Sequence, residues 1–206
     1  MTDVQGSALD SSQQADTGVA ARDHRTVVVV EDERWQQEWS GVAHIVCRAA
    51  QGTLHYALSP SAAAIELSVA LADDAWVRCL NAQFRGRDER TNVLAFPLEH
   101  RSSPTLAVDA AGQAPRKLIG DIAIAYETVL REAVEQHKRP EAHLAHLVVH
   151  GVLHLLGYDH ENDEDFTEMS LVEGAVLGKL GYGDPYSSQG RTDNSSLADH
   201  SNRNDE

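Results

Sequence analysis

The stretch His150–His160, HGVLHLLGYDH, constrains this chain more than any other segment. With His143 and His146 just upstream, His150 and His154 complete a run of four histidines at helical spacing. At about 100° per residue the four fall within roughly an 80° arc. Side chains four residues apart point the same way, so His146 with His150, or His150 with His154, could grip one ion. Gly157 follows, and glycine readily takes the left-handed conformation that ends a helix. Beyond that turn His160 can fold back toward His154. A chain of this kind must therefore build a helix, stop it at a glycine and return a histidine to its last turn.

Histidines on a helix are usually surface groups or hydrogen-bonded core residues. The returning His160 sets this stripe apart. Three neutral imidazoles facing one point, with a fourth position open, form the pattern of a catalytic zinc site. Structural zinc sites are closed by four ligands and usually include Cys, and neither Cys47 nor Cys79 lies near the motif. The expectation is one Zn2+ per chain held by His150, His154 and His160, although three imidazoles also suit nickel or copper. His143 and His146 are read as flanking helix residues, and Leu147, Val148, Leu153 and Leu155 as core. Asp159 is either a carboxylate that orients a ligand imidazole or a turn residue.

The spacing H-x-x-x-H-x-x-G-x-x-H is also that of the metzincin zinc proteases. Those enzymes carry Glu after the first His, as the base that takes a proton from the metal's water. Here that position is Gly151, which argues against peptide hydrolysis by that route. Zinc could still lower the pKa of bound water toward about 7, or act as a Lewis acid on a phosphoryl oxygen. A phosphodiester substrate also needs positive charge beside the developing anion. Arg78, Arg85, Arg87 and Arg90 cluster in an otherwise acidic chain. The planar guanidinium fork donates paired hydrogen bonds to phosphate. The competing reading is a solvated loop whose arginines pair with Asp88 and Glu89.

The net charge of −15 argues against loose binding to nucleic acid or to an anionic membrane. Residues 1–25 and 183–206 together hold nine acidic and four basic side chains, so residues 26–182 still carry −10. Both terminal segments are rich in Ser, Asp and other small polar residues, and are expected to be disordered tails around one domain over 26–182. No apolar run approaches the roughly 18 residues of a membrane span, and no secretion signal is recognisable at the N-terminus. Two cysteines without a C-x-x-C pair suit a reduced, cytoplasmic setting.

Within the domain, TVVVVEDE reads as a buried strand. Trp35 to about Ala50 reads as one helix, because Trp35, Trp39, Val42, Val46 and Ala49 share a face. AIELSVALA alternates with period two. Asp73 has the character of an N-cap for a helix reaching Phe84. NVLAFPLE and KLIGDIAIA are further strands, and Pro97 places the former at an edge or a strand end. Helices are expected over Tyr126–Lys138, from Pro140 to about Leu156, and over Asn162–Leu180. The predicted class is α/β (α+β), a mixed sheet of about four strands flanked by helices, with a zincin-like metal helix.

HGVLHLLGYDH, LNAQFRGRDERTNVLAFP and LIGDIAIA together resemble the bacterial YbeY family, over about residues 30–182. Two positions depart from the family pattern: Arg90 stands where Pro is usual, and Ala95 where Ser is usual. The resemblance implies a zinc-dependent, single-strand-specific endoribonuclease acting in rRNA maturation, especially near the 3′ end of small-subunit rRNA, and in ribosome quality control. It implies zinc on His150, His154 and His160, and a functional role for Arg85 in the segment Phe84-Arg85-Gly86. It also implies the small ribosomal subunit as partner, with ribosomal-protein and GTPase contacts, no membrane and no DNA. Two alternatives stand beside it: a non-catalytic ribosome-assembly factor with structural zinc, and a metallopeptidase-like hydrolase. Whether water or the RNA 2′-OH attacks is left open by the sequence.

Overall fold

The computed structural model describes residues 24–60, 62–98, 116–159, 162–183 and 185. Both expected tails therefore lie outside the described residues, apart from the residues that flank the domain. The elements run β1 (Arg25–Val30), α1 (Arg34–Gln37), α2 (Val42–Ala57), β2 (Ala64–Ala72), α3 (Asp74–Arg85), β3 (Val93–Pro97), β4 (Arg116–Ala125), α4 (Tyr126–Glu135), α5 (Pro140–Leu155) and α6 (Asp163–Leu180). The sheet is mixed and four-stranded, in the order β1-β2-β4-β3. β1, β2 and β4 are parallel, and β3 runs antiparallel on the edge beside β4. No helix among the described residues is long and apolar enough to cross a membrane.

Period-two patterning decides which face of the sheet is buried. Ile65, Leu67, Val69 and Leu71 of β2 point into the main core with Ile122 and Ile124 of β4, under α2 and α5. The other face carries a smaller cluster, in which Val77 of α3 packs on Ala72, Leu94, Ala123 and Ala125. Asp73 caps α3 as its sequence suggested, its side chain accepting from the Trp76 N–H at 2.7 Å. Trp35 is fully buried and its indole N–H donates to the Ala72 carbonyl at 3.1 Å, which anchors α1 over the end of β2.

One expected helix is two. The Trp35–Ala50 segment breaks at Gly41, which adopts φ 76°, and α2 then continues to Ala57. Trp35 and Trp39 still share the core, stacked edge to face at 5.2 Å. Their common face thus survives without a continuous helix.

The second notable backbone feature is Gly120, in the middle of β4. The pairing of β2 with β4 shifts register here, between Glu66 and Leu67. Gly120 sits at φ 143°, and a Cβ on it would lie 2.2 Å from the Phe96 carbonyl oxygen and 2.9 Å from Leu155 Cδ2. The bulge therefore lets β3 and the end of α5 close on β4 together. Gly120→Ala combines a disfavoured φ with a backbone clash, so a loss of roughly 3–5 kcal/mol is expected. Thermal unfolding checks this: a fall of roughly 10–15 °C is expected for a chain of this size. A fall of only a degree or two would mean that β3 can simply move aside.

Candidate metal centre and its cleft

The C-terminal turns of α5 carry the site. Pro140 sits in the first turn of α5, and the helix ends through the Gly157 turn, where φ is 94°. The Gly157 N–H donates to the His154 carbonyl and the Tyr158 N–H to the Leu153 carbonyl, both at 3.0 Å. This pair of bonds closes the helix and brings the chain back across its own last turn. The Tyr158 carbonyl then meets the His154 ring, accepting from Nδ1 at 3.0 Å.

His150 is oriented from the other side. Its Nδ1 donates to Glu173 Oε1 of α6 at 2.8 Å, and His146 Nε2 donates to the other oxygen of the same carboxylate at 3.3 Å. Glu173 is only 1% exposed. Both acceptors, a carboxylate and a carbonyl, fix the protons on Nδ1 and leave the lone pairs on Nε2. Those two Nε2 atoms lie 3.0 Å apart. Two neutral rings with their lone pairs at that distance repel unless a cation lies between or beside them. The separation suits two nitrogens that share one ion at metal–nitrogen bonds of about 2.0–2.1 Å. The donor set therefore fits a divalent metal on His150 and His154. Among the described residues no group of three His, Cys, Asp or Glu side chains converges in this way, and the third expected ligand, His160, lies outside the described residues.

His143 and His146, the flanking helix residues, are tied into the core by carboxylates. His143 is buried and donates from Nε2 to Glu132 Oε2 at 2.8 Å, and Asn92 Nδ2 donates to the same oxygen at 2.9 Å. Burial pushes the Glu132 carboxyl up, but the bonds from His143 and Asn92 outweigh it and hold the carboxyl below its ordinary value. Asn92 Oδ1 also accepts from the Val93 N–H at 2.7 Å. This network ties the start of β3 to α4 and α5.

A cleft of about 730 Å³ runs between the end of α5 and the free edge of β3. It is lined by His150, Gly151 and His154, by Arg85, Arg87 and Arg90, and by Tyr158 and Asp159. The histidine motif and the arginine segment, far apart in sequence, thus share one cavity. Asp159 is exposed on its rim, and the orienting contacts to the described rings come instead from Glu173 and the Tyr158 carbonyl.

The four arginines divide by their partners. Arg78 is taken up by Asp88, with Nε at 2.6 Å and Nη2 at 3.0 Å, and Arg90 lies 3.8 Å from Asp74. Those two follow the bland reading of paired loop charges, with Asp74 in place of Glu89. Arg85 Nη2 donates to the Ala95 carbonyl at 3.1 Å. The guanidinium groups of Arg85 and Arg87 have no ion-pair partner among the described residues. Gly86, at φ 67°, ends α3 directly after Arg85, and Asn81 holds the loop through its carbonyl to Arg87 N–H and its amide to the Glu89 carbonyl.

Gly151 has a packing reason. A Cβ there would meet Ile122 of β4 at 3.0–3.3 Å. The helix lies so close to the sheet that a side chain at this position would press on Ile122, which would have to give by a few tenths of an ångström.

The family model described as Endoribonuclease YbeY matches residues 26–181. The chain belongs to the YbeY family. Curated relatives, each called Endoribonuclease YbeY, agree with it. One from Rhodopseudomonas palustris is 48% identical over 166 residues, covering 81% of this chain and 83% of its own. One from Nitrobacter hamburgensis is 46% identical over 167 residues, covering 81% and 84%. One from Bradyrhizobium diazoefficiens is 45% identical over 161 residues, covering 78% and 84%. A solution structure from Thermotoga maritima aligns 84% of this chain with 99% of its own, at 23% identity and a TM-score of 0.44. The YbeY match takes in both walls of the cleft and α6, which supplies Glu173.

Sequence reasoning missed Glu173. A signal for it exists: Met169, Glu173, Val176 and Leu177 lie on one face of α6, and the other three are buried apolar residues. A carboxylate in an apolar stripe requires a partner in the core.

Proposed function

We propose that this protein is a zinc-dependent endoribonuclease that cuts single-stranded RNA, acting in the cytoplasm on small-subunit rRNA near its 3′ end. The observation that carries the reading is the shared cleft, in which an oriented imidazole pair faces two guanidinium groups that have no ion-pair partner among the described residues. His150, His154 and His160 would hold the zinc, which when bound supplies a Lewis acid for a phosphoryl oxygen. Arg85 binds the phosphate and balances the charge that develops on it. Glu173 and the Tyr158 carbonyl keep the two rings in the tautomer that presents Nε2 to the cleft. Asp159, on the rim, stays a candidate for orienting His160. The small ribosomal subunit is the proposed partner, with contacts to ribosomal protein or a GTPase supplying affinity that the net charge of −15 does not.

A peptidase fits the cleft less well. Gly151 supplies no base, and a side chain there would press on Ile122. A peptide that adds to a sheet edge also needs free main-chain groups there. On β3 the Ala95 carbonyl is bonded by Arg85, the Val93 N–H by Asn92, and Pro97 has no N–H to offer.

The deciding experiment is cleavage of matched single- and double-stranded RNA by purified, metal-analysed protein, with EDTA and His154→Ala controls prepared in parallel. Activity that survives EDTA and His154→Ala alike would belong to a contaminant and end the proposal. Glu173→Gln tests the orienting carboxylate. It keeps the shape of the side chain, so the fold is expected to persist, while zinc affinity falls roughly 10–100-fold. Chelator competition reads this directly, and an unchanged dissociation constant would leave Glu173 only a packing role.

A further inference from the structure

Beside the arginine-lined cleft lies an aromatic surface that the metal-centre reading leaves unused. Trp76, Leu80 and Phe84 stand at i, i+4 and i+8 on α3, and so share one face of it. The adjoining, inner face of α3 holds the buried Val77 and Asn81, and Leu80 packs against the same small cluster as Val77. Phe84 is 60% exposed and Trp76 38% exposed. Phe84 packs edge to face on Phe96 of β3, with ring centroids 5.3 Å apart. Leaving a large apolar ring in water is unfavourable, so the exposed Phe84 ring, fixed on the half-buried Phe96, invites a ligand.

The neighbours identify that ligand. Phe84 directly precedes Arg85, and Phe96 directly follows Ala95, whose carbonyl holds the Arg85 guanidinium. Side chains alternate along β3: Ala95 packs into the main core under α5, while Phe96 packs with the α3-side cluster. The strand is therefore a lip. The imidazoles lie on one side of it, the aromatic pair on the other, and Arg85 reaches across. A ring face beside guanidinium groups is the combination that binds single-stranded nucleic acid, phosphate to the cation and base to the ring.

We propose that Phe84, braced by Phe96, is a stacking platform for one unpaired RNA base next to the phosphate held by Arg85. This rests on the endoribonuclease reading of the cleft and adds to it how unpaired RNA is selected. A base within a duplex has both faces covered by its neighbours and cannot lie on the ring. An extruded base can.

The test is single-turnover cleavage of one single-stranded RNA by zinc-loaded, full-length variants, with a parallel series of the same RNA carrying one abasic position at a time. Phe84→Ala is expected to raise the half-saturating enzyme concentration roughly five- to hundredfold. The rate at saturation stays within about twofold, because the ring holds substrate and does not touch the reacting atoms. Phe84→Leu keeps the apolar contact with Phe96 and is expected to behave like Phe84→Ala, whereas Phe84→Trp retains wild-type binding. At one position an abasic RNA weakens binding to the wild type by a similar factor and leaves Phe84→Ala unaffected. Unchanged half-saturation in Phe84→Ala, or abasic losses that simply add to it at every position, would overturn the platform while leaving the nuclease intact. The exposed stripe would then be a surface for a protein. A wild-type protein that cleaves no RNA at all would take down the function and the platform together.

Discussion

His154→Ala is expected to bring zinc content from about one per chain to near zero, and RNA cleavage down by at least ~10³-fold. The reason lies in the geometry of the last turn of α5. His154 and His150 present Nε2 atoms 3.0 Å apart, each ring fixed by an acceptor behind it. Removing one ring leaves too few nitrogens to hold the ion against water. The chemistry then loses the several kcal/mol of charge stabilisation that a metal supplies, at 1.36 kcal/mol for each tenfold in rate. The fold is expected to survive, because the Gly157 turn is closed by main-chain bonds that the substitution does not touch. A second readout is independent of activity. Excess zinc at about 100 times its dissociation constant stabilises the wild type by about 2.7 kcal/mol, and this rise in Tm is expected to vanish in His154→Ala. Full zinc content in both His154→Ala and His150→Ala would remove the metal from this turn and move attention to His146.

Arg85→Ala is expected to retain zinc and Tm and to lose cleavage by about 10²–10³-fold, as loss of one charge-stabilising donor does elsewhere. Arg85 is exposed, and among the described residues its guanidinium donates to the neutral Ala95 carbonyl. A carboxylate in that place would have neutralised the guanidinium and would have to be displaced by substrate. A carbonyl holds the side chain in position and leaves its charge available. Arg85→Lys is expected to recover only part of the rate, since an ammonium cannot make the paired bonds of the fork. Arg87→Ala should matter less, because no bond among the described residues orients its side chain toward the cleft. Single-turnover rates of matched, zinc-loaded variants decide the matter. Equal rates for wild type and Arg85→Ala would make this segment a charged surface loop and nothing more.

Much of the architecture is legible locally. The alternation of β2, the Asp73 cap and the Gly157 stop are each written within a few residues, and each appears in the structure where the pattern put it. The break at Gly41 was not legible. Trp35, Trp39, Val42 and Val46 keep helical spacing through it, because the two short helices bury a common face. The histidine stripe of α5 could be read from spacing alone, but what orients its rings could not. Glu173 meets His150 across 23 positions, Glu132 meets His143 across 11, and Asn92 meets Glu132 across 40. Nothing in the local pattern of either partner encodes such pairings, which arise only when α4, α5 and α6 pack. The division of the arginines is similar. Their clustering is visible in the sequence, yet only the fold gives Asp88 to Arg78 and leaves Arg85 on a carbonyl.

The edge strand β3 also bears on how copies of this protein meet in a crowded cell. An open edge of a sheet is a template on which another copy can add its own strand, and repeated addition builds fibres. On β3 that template is largely blocked. Arg85 covers the Ala95 carbonyl, Asn92 covers the Val93 N–H, and Pro97 interrupts the row of donors. The Arg85 guanidinium, proposed above to take phosphate, therefore also keeps the sheet from growing at this side as long as it stays on the Ala95 carbonyl.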